Sequence, residues 1–498
     1  MLFLAKENRL TPSALLEDKA GVELQRISDI ASIPDYPVDS HYPYVKELQL
    51  FLSGRQLLLE EIPFALAIIH EHVLHGYVRY LPGIVFHDNK YQCQRCGNDE
   101  QRLFGSFACA RCQKQCSYCR KCLMMGRVSQ CTPLLTWSGP EPAFRFPNAL
   151  AWEGTLSIAQ KEAAEKIREA VESNGDLLVW AVCGAGKTEM LFYGMQAALT
   201  LGKRVAIATP RTDVVLELTP RMRQVFPTVP IASLFGGSEE RHLFAPIVIT
   251  TTHQLLRFKE AFDVMIIDEV DAFPFTADRM LQNAAAKARK QGGTEVFLTA
   301  TPSIEWQREC AQRKRNHYIL PARFHRHELP IPKFVWCGNW KKSLKKGRIP
   351  KKLLQWVLQR LKTGKQSFVF FPHIQLMEQS LPLFQQYHPD IQAVHSEDPN
   401  RKEKVQQMRN GKIPLLLTTT ILERGVTIPN LDVAVLGAED DTFTESALVQ
   451  IAGRVGRSQN DPTGDVSFFH YGKTNAMIRA RAQLLRMNKE ARKRGLVD

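Results

Sequence analysis

Three short segments of this chain have the residue types and spacing to bind a nucleoside triphosphate and break its terminal anhydride. In Ala181-Val-Cys-Gly184-Ala185-Gly186-Lys187-Thr188, glycines let successive amides converge on phosphate oxygens. Lys187 would neutralise the β- and γ-phosphates and Thr188 would ligate Mg²⁺. Ala181 stands where such loops usually begin with glycine. In Asp268-Glu269-Val270-Asp271, Asp268 is suited to hold Mg²⁺ through water and Glu269 to orient the attacking water. Phosphoryl transfer needs positioning and charge compensation more than covalent chemistry, so an arginine reaching the transition state completes the set. Gln450-Ile-Ala-Gly453-Arg454-Val-Gly456-Arg457 supplies two candidates, Arg454 and Arg457, with Arg457 the better placed for the finger role.

A different chemistry lies upstream. Of eleven cysteines, eight fall between Cys93 and Cys131, in a chain whose N-terminus is charged too early for a secretory core. Cytosolic thiols stay reduced, so these read as metal ligands, while Cys183, Cys310 and Cys337 read as small core residues. Cys93-Gln-Arg-Cys96 and Cys119-Arg-Lys-Cys122 are two knuckles at a spacing where four thiolates can close on Zn²⁺. Cys109, Cys112, Cys116 and Cys131 allow a second Cys₄ site. Sequential pairing would instead group Cys93 and Cys96 with Cys109 and Cys112. Seven basic and two acidic residues share this stretch with Phe104, Phe107 and Tyr118, a composition for base stacking or for the small core such a module needs.

These groups require a scaffold, and the hydrophobic pattern supplies one. After Trp152, short apolar runs alternate with helical segments, as in parallel sheets with crossover helices. The runs 177–181, 205–208, 247–249, 264–267 and 296–298 form one set; 368–371, 392–394, 415–417, 433–436 and 466–469 form another. Polar residues follow each run at once, at the strand ends where open α/β sheets bind ligands. The expected layout is a mostly helical region 1–86, a zinc module 87–135, a nucleotide-binding lobe 150–325, a basic linker 326–350 and a second lobe 351–498.

With 498 residues, 44% of them hydrophobic, the chain has enough material for several cores, and no apolar stretch matches a bilayer span. A cytoplasmic location is expected. A net charge of +14 predicts a polyanionic partner, nucleic acid first. Lys333 to Lys352 carries eight basic and no acidic residues around Trp336 and Trp340, fit for phosphate pairing with stacking or for a solvated linker. His70-Glu71-His72-Val-Leu-His75 lacks the second histidine of a zinc-protease helix at position 74, so these histidines are expected on a helix surface. The basic stretch 473–494 has the spacing of a surface helix.

From about Leu156 to Asn488 the ordered motifs resemble superfamily 2 helicases and translocases, which implies two tandem RecA-like α/β lobes. Gln160 resembles the glutamine that reads adenine. Thr209-Pro210-Arg211 and Thr251-Thr252 resemble nucleic-acid contacts of the first lobe, and Thr299-Ala300-Thr301 the coupling motif. Thr418 to Gly425, with Thr419 and Arg424, resembles the segment that touches strand and nucleotide; Thr427 departs from the usual aspartate. The cysteine module together with WAVCGAGKTEMLF, ATPRTDVVLEL, MIIDEVDAFP and TTTILERGVTIPN resembles the ComFA family of Gram-positive competence ATPases. That resemblance implies an ATP-driven motor on single-stranded DNA, peripheral at the inner face of the cytoplasmic membrane. Its implied partners are the competence channel and other competence proteins, and its implied cofactors ATP, Mg²⁺ and Zn²⁺. It matches the family's four-cysteine finger to Cys93, Cys96, Cys119 and Cys122, leaving Cys109, Cys112, Cys116 and Cys131 nested for a second zinc. Rival readings are a duplex-unwinding helicase of the replication-restart type and a nucleotide-switched DNA-binding adaptor.

Overall fold

The computed structural model describes residues 1–18, 21–424 and 428–497. Two large parallel sheets, of seven and six strands, carry the motor motifs, giving two RecA-like lobes. In the first, Ile231–Leu234, Ile247–Thr251, Val205–Thr209 and Phe262–Asp268 lie side by side in that order, all parallel. In the second, the order is Lys333–Trp336, Val466–His470, Leu431–Leu436, Gln366–Phe370, Leu415–Thr418 and Gln392–Val394, again parallel. Most of these strands are buried along their whole length, as continuous apolar runs covered on both faces must be.

Close contacts divide the chain into two compact units. One comprises Met1–Glu153, Ile167–Leu177 and Phe192–Phe297; the other comprises Gly154–Lys166, Leu178–Leu191 and Leu298–Asp498. The phosphate loop therefore packs in the same unit as the second sheet, a grouping that linear order conceals.

The N-terminal region is not mostly helical. Helices Lys46–Leu52 and Leu66–Leu74 sit among strands Leu2–Lys6, Arg9–Pro12, Gln56–Leu58 and Val78–Pro82. Glu7 and Asn8, both at positive φ, form the two-residue turn that pairs the first two strands. Phe3, Leu48, Ile69, Tyr80 and Leu135 share the core of this region. The histidines expected on a helix surface are also placed differently. His72 is fully buried, its Nδ1–H donating to the Ile68 carbonyl and its Nε2 accepting from the Val45 amide, and His70 is buried as well. Helical periodicity alone does not tell which face meets the core.

The stretch expected as a basic linker is folded into the second lobe. Lys333–Trp336 forms its edge strand, and helix Trp340–Lys345 drops Trp340 into the core, where its indole N–H donates to Glu439. Of the two tryptophans only Trp336 remains exposed for stacking. Helix Asn475–Lys493 lies on the surface with Met477, Leu484 and Met487 turned inward. Among the described residues, no helix is long and apolar enough to cross a membrane.

Candidate functional site

The strand Asp176–Ala181 pairs with His317–Leu320 and ends in the phosphate loop, and helix Lys187–Thr200 begins directly after it. Gly184 and Gly186 take φ of +82° and +72°, a conformation that turns amides toward a common centre and that side chains resist. Lys187 and Thr188 open the helix, where amides and helix dipole favour anionic phosphate. The donor set fits ATP with Mg²⁺. Gln160 lies against this loop: its amide donates to the Ala185 carbonyl at 3.0 Å, and its oxygen accepts from the Ser157 amide at 2.9 Å. The side chain expected to read adenine thus also braces the loop.

In the same unit, helix Glu445–Ala452 starts at Thr444, whose hydroxyl caps the Ala447 amide, and runs into the arginine loop. Gln450, near its end, accepts from the Cys183 thiol at 3.0 Å. Gly453 lies so close to Cys183 that any side chain there would collide with it. Arg454 is buried and donates to the Glu423 carbonyl; Arg457 donates to the Gly453 carbonyl. The residue that sequence reading missed is Arg323. It is 2% exposed and donates to the carbonyls of Cys183, Gly453, Val455 and Gly456, joining phosphate loop to arginine loop. Burial, with Arg457 nearby, lowers its pKa to about 10. His325 adds a bond from Nε2 to the Gly456 carbonyl. Pro-Ala-Arg-Phe-His matches no familiar signature, so only the fold discloses this clamp. Two further links tie the coupling segment in: Thr301 with Ser446, and the Ala300 carbonyl accepting from Trp180 and Gln483.

In the other unit, Asp268 closes the strand Phe262–Asp268 and accepts from the Glu269 amide. Glu269 has φ of +54°, a conformation uncommon for a residue with a side chain, and its carbonyl accepts from the Ala272 amide. Most of the expected strand contacts lie below the surface. Thr209, Thr251 and Thr252 here, and Thr419 and Arg424 in the other unit, are all buried; Pro210 and Arg211 are partly exposed, with Arg211 paired to Asp213. These threonines sit at the ends of strands covered on both faces, a depth that motif matching cannot read. Gly425 to Thr427 lie outside the described residues.

The eight clustered cysteines are all buried and form two groups: Cys93, Cys96, Cys119 and Cys122, and Cys109, Cys112, Cys116 and Cys131. Sulfur separations of 3.7 Å for Cys93–Cys122, and 3.6 Å for Cys96–Cys119 and Cys109–Cys131, are far too long for disulfides. They match the edge of a tetrahedron with metal–sulfur bonds of about 2.3 Å, so both donor sets fit Zn²⁺. The arrangement is nested rather than sequential. Strand Gln115–Cys119 explains it: Cys116 and Cys119 are three residues apart, so they leave opposite faces of one strand. Arg127 lies 4.3 Å over the Phe107 ring, and Phe107 packs edge-on to Tyr118, while Phe104 is buried. Part of the aromatic set therefore serves the module's own packing.

The first group is fastened to the motor residues of its unit. Lys287 donates to the carbonyls of Arg95 and Leu256 and to Gln56, and burial lowers its pKa to about 8. Arg95, fully buried, pairs with Glu61, which also pairs with Arg257. Lys121 reaches Asp278, the cap of helix Arg279–Ala288.

Comparison with known proteins finds three matched segments along the chain. Residues 40–136 match the competence protein ComFA N-terminal domain, 153–304 the type III restriction enzyme res subunit, and 348–459 the helicase conserved C-terminal domain. The chain is 48% identical to a competence protein ComFA of Bacillus subtilis (strain 168), over 92% of its own length and 98% of that protein's. It is 39% identical to a ComFA of Streptococcus pneumoniae (strain ATCC BAA-255 / R6), over 82% and 93% respectively.

Proposed function

The chain belongs to the ComFA family and is an ATP-hydrolysing enzyme of the helicase and translocase type; from that premise we propose that it moves along single-stranded DNA and drives uptake of transforming DNA across the cytoplasmic membrane. The observation that carries the motor reading is the junction in one unit of Cys183 with Gln450, and of Arg323 with both loops. A phosphate loop tied to the arginine loop lets events at the γ-phosphate displace the second sheet.

In this reading the amides of Gly184 to Lys187 and the Lys187 ammonium bind the phosphates; Thr188 and Asp268 are the residues that would hold Mg²⁺, which would supply charge neutralisation. Glu269 orients water and takes up its proton. Arg457, with Arg454 beside it, meets charge building on the γ-phosphate oxygens. The two cysteine groups hold one Zn²⁺ each as closed structural sites. The protein works on the cytoplasmic face of the membrane beside the competence channel and other competence proteins.

The test is steady-state ATPase of the zinc-loaded protein with single-stranded DNA, duplex DNA or RNA, using Glu269→Gln as the blank. Strong stimulation by single-stranded DNA is expected, together with displacement of streptavidin from a biotinylated strand. Preference for duplex, accompanied by strand separation, would move the assignment to a helicase. A Lys187→Ala protein that still supports transformation would move it to an adaptor.

A further inference from the structure

The segment after the Asp268-Glu269 carboxylates has an unusual build. Ala272 and Phe275 are buried, and the backbone is pinned by bonds from Ala272 to Glu269, from Asp278 to Pro274 and from the Gln282 amide to the Phe275 carbonyl. Between these anchors Phe273 is 80% exposed. A phenyl ring left in water on a pinned backbone forfeits the burial that ordinarily fixes phenylalanine in a core. Val270 is also buried, so along the segment from Val270 to Phe275 the exposed apolar side chain is that of Phe273. The segment ends at Asp278, which lies 3.6 Å from Lys121 of the first cysteine knuckle, next to the exposed Arg120.

We propose that Phe273 is a nucleobase-stacking site, on which an unpaired base of the single strand lies flat, with Arg120 and Lys121 of the knuckle meeting the adjoining phosphates. The inference rests on the single-strand reading above and deepens it. An exposed aromatic on a segment whose end is reached by a knuckle cation suits a ligand whose every unit carries a π-face and a charge. The bond from Ala272 to the Glu269 carbonyl gives base engagement a short path of three residues to the carboxylate that orients water. Strand occupancy and hydrolysis are thereby linked on one loop.

Phe273→Ala and Phe273→Trp, each in the full zinc-loaded chain, test this with fluorescein-labelled oligo(dT) and an abasic strand of equal length. Phe273→Ala is expected to weaken oligo(dT) binding about tenfold, yet bind the abasic strand as the parent does. Phe273→Trp is expected to retain oligo(dT) affinity and to show tryptophan quenching beyond the parent's on strand addition. Parental affinity for oligo(dT) in Phe273→Ala, or equal losses on both strands, overturns the stacking site; so does a transformation defect with unchanged strand binding, which would assign the ring to a protein partner. If the parent itself binds no single strand, the failure belongs to the single-strand reading and not to Phe273.

Discussion

Lys287 and Arg323 do the same physical job in different units and join different kinds of object. Each is a buried cation that donates to two or more backbone carbonyls, Lys287 to the Gln56 side chain as well, and burial depresses the pKa of both. Lys287 fixes the carbonyl of Arg95, inside a cysteine knuckle, to Leu256 and Gln56. One side of that joint is built around a metal-ligand set, and the other consists of buried residues of the same unit. Arg323 grips Cys183 on one side and Gly453, Val455 and Gly456 on the other, loops whose residues are the candidates to meet nucleotide. One joint is suited to transmit force unchanged and the other to switch. The two cysteine groups differ in the same sense. The first is tied to helix Arg279–Ala288; the second meets the N-terminal strands through Arg26, which donates to the Gln115 carbonyl, and through Leu2 packed against the cysteines.

The largest expected effect separates those two groups. Cys119→Ser and Cys112→Ser should each lower bound zinc by one per chain, measured by atomic emission. Zinc at such sites contributes about 10 kcal/mol or more to local folding, so each substitution should unfold its own half of the module. Cys119→Ser is expected to reduce single-strand-stimulated ATPase about tenfold or more, because it frees the anchorage of Lys287 and Lys121, whereas Cys112→Ser should keep the rate within about threefold. Equal losses would show that the module acts as one piece and would break the comparison.

Next in size is Arg323→Ala. It strands several buried carbonyls, at about 1–3 kcal/mol for each that water cannot reach, and it releases the arginine loop. A displacement of about 1 Å at a catalytic group can cost about a hundredfold, so kcat for ATP should fall about 10- to 100-fold with KM nearly unchanged. Arg323→Lys should recover the melting temperature but not the rate, since one ammonium cannot span both loops. Lys287→Met should do the reverse. It is expected to lower stability by about 2 kcal/mol in urea unfolding while kcat moves little. A Lys287→Met protein that loses kcat as steeply as Arg323→Ala would mean that the joints do not differ in kind.

How much of this was legible in the chain depends on which physical property each residue expresses. Strand runs and the nucleotide motifs show in sequence because parallel strands buried on both faces read as unbroken apolar stretches, and because phosphate binding demands glycine and lysine at fixed spacing. The nested cysteine grouping depends on Cys116 and Cys119 leaving opposite faces of one strand, which the spacing of knuckles leaves open. Trp340 and Trp336 look equivalent in a basic run, and only the packing of helix Trp340–Lys345 separates core from surface. Arg323 was invisible for a further reason: its partners are backbone carbonyls, which carry no residue identity. Phe273 sits inside a string that family resemblance already contained, yet exposure, not type, is what distinguishes it from Phe275 two residues on.

The smallest effect tests the switching joint by pH. His325 holds the Gly456 carbonyl through Nε2–H, and its Nδ1 accepts from the His327 amide. Burial, with the Arg323 charge next, lowers its pKa below the usual histidine value, so the folded unit prefers the neutral ring. Between that lowered value and about 6.5, the unfolded chain binds the proton more readily, so the stability contributed by neutral His325 is complete above about pH 6.5 and is lost as pH falls through the window beneath it. Protonation also breaks the bond to His327 and sets a second cation beside Arg323. The chain with His325→Gln keeps an amide donor for Gly456 but cannot titrate, so the parent should lose about 2 °C more in melting temperature than the variant between pH 7.5 and 5.5. Its kcat should fall over the same range, because the loop that loosens carries Arg457. Identical pH profiles for parent and variant would leave Arg323 as the sole support of that loop and make the switching joint insensitive to acid. A fall in stability without a fall in kcat would make His325 a brace of the same static kind as Lys287.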